Sequence, residues 1–201
     1  MSKVETKRVY SWIFPLIGGL IAIGSLFTPA AYHLFDDINY DGIYIWMWGL
    51  IFYKGYKYGA IFIFQKNPES LRDNLASEFF SVRDIFGIVT SLISTLAILM
   101  CGIGLVSTAK KVKHLKMKVR VASRYWIVLS INMLVFAIFW MYTANLYYTS
   151  MHLPSSELDW ENDLFEHKDF RFWAYFNPGF GIIGVFLAAG ITFIGISLKS
   201  D

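Results

Sequence analysis

Three groups of residues in this chain have types and spacings that could do chemistry. Gly179-Phe180-Gly181-Ile182-Ile183-Gly184 matches the GxGxxG spacing with which a strand-to-helix turn cradles a pyrophosphate. That chemistry needs a strand ahead of the glycines. The sequence offers none, and the motif stands in a long apolar window where glycines let helices approach closely. The second group is Glu157, Asp159, Glu161, Asp163, Glu166 and Asp169, with His152 and His167, whose oxygens and nitrogens suit cations. Leu164 follows Asp159-x-Glu161-x-Asp163 where a helix-loop-helix calcium site turns on glycine, and no spacing matches a zinc site. A solvated acidic rim without metal or cofactor is expected there. The third group is Asn132 and Asn145, amides inside an apolar window, read as helix-to-helix hydrogen bonding rather than transport. No Asp, Glu, Lys, Arg or His sits deep in such a window, which argues against a titratable relay. No serine, cysteine or carboxylate has a base and an orienting partner at motif spacing, so a non-enzymatic protein is expected.

The elements that must position these residues follow from hydropathy. The chain has 201 residues, 56% of them hydrophobic, and a mean hydropathy of +0.47, well above a soluble domain. Windows at about 10–32, 85–106, 125–146 and 172–198 each supply the roughly 20 residues that a helix needs to cross the hydrocarbon. The first follows Lys3, Lys7 and Arg8 and ends at Thr28-Pro29-Ala30-Ala31, which resembles a signal peptide with its cleavage site. Its apolar run is longer than an ordinary signal core, so it is expected to remain as a span. The single cysteine, Cys101, leaves no intrachain disulfide to brace the loops.

Orientation comes from the basic residues. The N-terminus, residues 107–124 and the C-terminus hold 11 Lys and Arg against 7 in 33–84 and 147–171, while 13 of the 15 acidic residues lie in the latter loops. Both termini and loop 107–124 are therefore expected in the cytoplasm, with 33–84 and 147–171 outside. Such a charge split speaks for a membrane protein and not for a nucleic-acid partner.

Residues 42–64, "GIYIWMWGLIFYKGYKYGAIFIF", are apolar enough for a fifth span but carry Lys54 and Lys57 near the middle. Each lysine at the bilayer centre costs about 2.5–3.5 kcal/mol on insertion scales, and a fifth crossing would put the most basic loop outside. A β-hairpin fits better, with strands 43–53 and 58–64 around Lys54-Gly55-Tyr56-Lys57. Alternation places Tyr44, Trp46 and Trp48 on one face and Ile43, Ile45 and Met47 on the other. Both faces are apolar, so cover is expected on both sides, from helix ends below and from loops, headgroups or another protein above.

This plan resembles the claudin superfamily, which includes the peripheral-myelin and epithelial membrane proteins and the channel-regulating gamma subunits. Gly49-Leu50-Ile51, preceded by Trp48, is similar to the family's Gly-Leu-Trp motif; Glu69-Ser70-Leu71 is similar to its Asp-Ser-Leu; and Arg83 stands where claudins tend to carry a loop-anchoring arginine. The motif's tryptophan is Ile51, and Lys54 and Phe64 stand near the places of the family's two cysteines. The resemblance implies an all-α membrane protein: an antiparallel four-helix transmembrane bundle, one domain over 1–201, capped by a small extracellular antiparallel β-sheet that a strand from the second outer loop joins. On this reading aromatic packing replaces the sheet's disulfide.

In the inner loop, Val112, Leu115, Val119 and Ala122 share one helical face with lysines between them. Lys110, Lys111, Lys113, Lys116 and Lys118 are expected to reach anionic headgroups. The expected function is self-association, adhesion or membrane organisation through the outer sheet. Trp46, Trp48, Gly49 and Leu50 would build its core, and Tyr44, Tyr56 and Tyr58 its contacts. The alternative is an auxiliary subunit docked on a larger membrane protein through glycine-lined helix faces. The expected partners are membrane lipid and either further copies of the chain or that larger protein.

Overall fold

The computed structural model describes residues 11–36, 41–54, 60–62, 82–148 and 172–198. Its long helices are α1 (Ile13–Ser25), α2 (Val82–Lys113), α3 (Val119–Tyr148) and, after the single turn α4 (Phe172–Tyr175), α5 (Phe180–Ser197). Three stretches, Phe86–Lys113, Val119–Ala144 and Phe180–Ser197, are long and apolar enough to cross a membrane; Ile13–Ser25 is apolar but shorter. Helix α1 packs on α2 and α5, and α3 packs on α2 and α5, which closes a four-membered ring.

Small residues set how closely the ring closes. A Cβ on Gly19 would come within 2.7 Å of the Gly102 carbonyl oxygen, and one on Gly18 would collide with Thr192 and the Ala188 carbonyl. Each glycine thus admits a neighbouring backbone where no side chain fits. Larger residues fill the remaining space, with Trp126, Met133 and Trp140 of α3 fully buried.

Helix α1 stops earlier than its apolar window. After Ser25, the amides of Leu26, Phe27 and Thr28 bond three residues back, and Pro29 follows. The tight turns use up carbonyls, and proline disfavours helix in the residue before it. Strand β1 (Ala31–Asp36) thus begins inside the window expected to span 10–32. Strands β2 (Asp41–Ile45), β3 (Leu50–Lys54), β4 (Ala60–Phe62) and β5 (Asn177–Pro178) complete an antiparallel sheet in the order β4-β3-β2-β1-β5.

Residues 42–64 therefore carry strands on both sides of a reversal, and the expectation of one strand over 43–53 is corrected. The chain reverses at Met47-Trp48-Gly49. The Gly49 amide donates to the Trp46 carbonyl at 3.0 Å, the Trp46 amide donates to the Leu50 carbonyl at 2.8 Å, and Gly49 has φ 95°. A three-residue hairpin loop closes on one residue of positive φ, which glycine adopts without a Cβ clash. The expected pairing about Lys54–Lys57 also exists, as β3 against β4.

Asn177-Pro178, inside the window expected to span 172–198, is instead the edge strand paired with Tyr32 and Ala31, and Gly179 caps α5. Proline lacks the amide that an inner strand would need, so an edge strand suits it.

Candidate interaction surface

One face of the sheet is fixed to the bundle. Cross-strand pairing puts Ala31, Ile45 and Ile51 in one row and His33, Ile43 and Tyr53 in the next. Ile43, Ile45 and Met47, which the alternation puts on one face, are buried, and His33 lies against the Phe176 ring at 5.6 Å. Indole N–H groups hold this face down. Trp48 donates to the Leu26 carbonyl at 2.9 Å and Trp46 to the Phe27 carbonyl at 3.1 Å. Both acceptors lie in the turn that leaves α1, Leu26 as its C-cap residue and Phe27 next after it. From the other side of the junction, Trp140 of α3 donates to the Met47 carbonyl at 3.1 Å, and Trp173 donates to Met141 at 2.9 Å. The Met47–Gly49 loop is thus clamped between the end of α1 and α3, without a disulfide.

The opposite face carries an aromatic row. Asn177, Tyr32, Tyr44, Phe52 and Ala60 pair in sequence across all five strands, so their side chains share a face. Tyr32, Tyr44 and Phe52 are half-buried, and the two tyrosine rings stack at 6.4 Å with 22° between planes.

The expected site residues divide accordingly. Tyr44 belongs to this outward row. Leu50 begins β3, half-buried, and Gly49 is the conformational pivot of the loop. Trp46 and Trp48 are half-buried clamps on α1. Tyr56 and Tyr58 lie outside the described residues, as do the acidic cluster and Glu69-Ser70-Leu71. Arg83 falls in the first turn of α2, not in a loop, and its side chain is not among those described. The sequence reading missed Tyr32 and Phe52. Tyr32 falls at the end of the apolar window 10–32, where hydropathy does not separate it from the span.

At the other end of the ring, α2 and α3 are joined by residues 114–118. Lys110, Lys111, Lys116 and Lys118 are exposed; Lys113, also exposed, sits over the Trp12 ring at 5.1 Å. The single helical face expected here is broken. Val112 and Ala122 are buried, but Leu115 has φ 56° and is 93% exposed at the turn. An amphipathic period cannot foresee this, because reversing the chain in five residues requires a backbone that no helix supplies.

The glycine motif does follow a strand and open a helix, contrary to the expectation that no strand precedes it. Its amides are nonetheless engaged. Gly179 donates to the Ala30 carbonyl and Gly181 to the Pro29 carbonyl, both at 2.8 Å, and a Cβ on Gly184 would meet the Ser25 Cβ at 2.8 Å. The donors that would cradle a phosphate are thus bonded to the chain leaving α1, which leaves this motif a packing role. Among the described residues no three His, Cys, Asp or Glu cluster as metal ligands.

No family model, no curated protein and no solved structure matches the chain. The functional reading rests on the geometry above.

Proposed function

We propose that the chain is a non-catalytic, four-span integral membrane protein that associates with further copies through the outward face of its sheet, and so organises or adheres membranes. Helix α1 would supply the fourth crossing together with the residues ahead of it. Both termini and the basic turn would face the cytoplasm, and the sheet would lie outside, as the lysine and arginine distribution requires. A single observation carries the interaction: the Tyr32–Tyr44–Phe52 row on the face turned away from the bundle. A sheet face bathed in water ordinarily carries polar residues, and aromatic rings are enriched where proteins meet. The resemblance to the claudin superfamily favours the same architecture.

The auxiliary-subunit alternative would dock through helix glycines. Gly18, Gly19, Gly102, Gly181, Gly184 and Gly195 are occupied by neighbours within the chain, while Gly24 and Gly190 are open, so most of these glycines are already used in packing the bundle, which weighs for the sheet. The test is the doubly substituted Tyr44→Asp/Phe52→Asp protein in reconstituted vesicles. Loss of vesicle clustering with retained helical circular dichroism is expected. Clustering at wild-type strength would refute the sheet as the contact.

A further inference from the structure

The outward side of α3 carries a seam of its own. The buried residues Trp126, Met133 and Trp140 fix which side of the helix faces the core. On the opposite side Tyr125, Val128, Asn132, Val135, Phe139 and Tyr142 are all exposed, at alternating spacings of three and four. That is the a/d spacing of a coiled-coil seam, with one amide near its centre. Ser123, Trp126, Trp140 and Thr143 of α3 have side-chain hydrogen bonds, and among the described residues Asn132 has none. The helix-to-helix hydrogen bond expected of Asn132 is therefore not made among the described residues. Other outward faces are apolar in their middle turns, as at Leu92, Leu96 and Met100 of α2 and Ile183 and Leu187 of α5.

We infer that two copies pair in the plane of one membrane along α3, with Asn132 against its own counterpart. This rests on the reading that α3 spans the bilayer. A carboxamide facing hydrocarbon leaves two donors and an acceptor unsatisfied. Copies in one membrane share a topology, so their two-fold axis lies along the membrane normal and their α3 helices run parallel. Residue 132 then meets residue 132. A carboxamide both donates and accepts, so the pair is self-complementary and fixes the register of the flanking valines and rings.

The experiment uses the full chain, labelled with donor and acceptor fluorophores in phosphatidylcholine vesicles, and follows energy transfer against protein-to-lipid ratio. Asn132→Leu should weaken association roughly three- to thirtyfold, the range for intramembrane polar contacts, while Asn132→Gln retains most of it. In a Cys101→Ser background, Val135→Cys should cross-link to its own copy and Leu96→Cys, on α2, should not. Undiminished transfer in Asn132→Leu, or cross-linking at Leu96 instead of Val135, would overturn the α3 seam while leaving association through the sheet standing. Loss of clustering in Tyr44→Asp/Phe52→Asp with energy transfer intact would support the sheet contact and the separate α3 seam together. A chain monomeric at every ratio would overturn the seam.

Discussion

Trp140→Phe is the sharpest test of how the sheet is held. The indole is 1% exposed and its N–H donates at 3.1 Å to the carbonyl of Met47, itself 1% exposed, in the loop between β2 and β3. Phenylalanine keeps an aromatic ring beside Trp173, which meets Trp140 edge-on at 6.3 Å, but supplies no donor. Stranding a buried acceptor costs about 1–3 kcal/mol. The lost ring atoms leave a cavity worth about 1 kcal/mol more. Together, about 2–4 kcal/mol should favour detachment of the loop, a shift of roughly 30- to 700-fold in its opening equilibrium at 1.4 kcal/mol per tenfold. Trp48→Phe removes a comparable bond at a half-buried position, where other polar groups can replace it, and should cost only about 0.5–1.5 kcal/mol. Hydrogen exchange on lipid-embedded protein reads both. Amides of residues 41–54 should exchange far faster in Trp140→Phe and modestly faster in Trp48→Phe, with the middle of α2 unchanged. Equal effects of the two substitutions, or faster exchange in α2 with the strands protected, would refute the clamp.

Two further substitutions probe the backbone. Gly49→Ala forces a Cβ into φ 95° and should lower stability by about 1–2 kcal/mol, with Gly49→Asn less damaging because asparagine tolerates positive φ; thermal unfolding of the three proteins should rank them Gly, Asn, Ala. Gly102→Val would drive side-chain atoms into Ile23 and the Gly19 carbonyl, 2.9 and 3.1 Å from the first added carbon, and should destabilise by more than about 2 kcal/mol; Gly24→Ala and Gly190→Ala, with open space at both sites, should leave the melting temperature in detergent unchanged.

Much of the sheet was legible because period-two alternation is a local property. Ile43, Ile45 and Met47 against Tyr44, Trp46 and Trp48 sort into buried and half-buried sides as their order predicts. The reversal at Met47–Gly49 was not legible. Trp46-Met47-Trp48 continues the strand pattern without a break, and Gly49 alone does not distinguish a turn from a close approach. What makes it a turn is the pair of carbonyls ending α1 and the Trp140 indole, all distant in sequence. Asn177-Pro178 shows the same limit: proline marks a boundary, but only its pairing with β1 makes that boundary an edge strand.

By itself the sequence determined the long apolar helices, the charge asymmetry between their ends and the strand character of 42–64, because hydropathy and alternation act over a few neighbouring residues. Tertiary structure alone decided which groups are occupied. The glycine motif that could have cradled a phosphate has its amides bonded to Pro29 and Ala30, and two tryptophans that could have formed a contact surface cap α1. The Asn132 amide, expected to join one helix to another, is exposed on the outer side of α3. Hydrogen-bond satisfaction is a property of the assembled chain, since a donor's partner can lie 93 residues away, as Met47 does from Trp140.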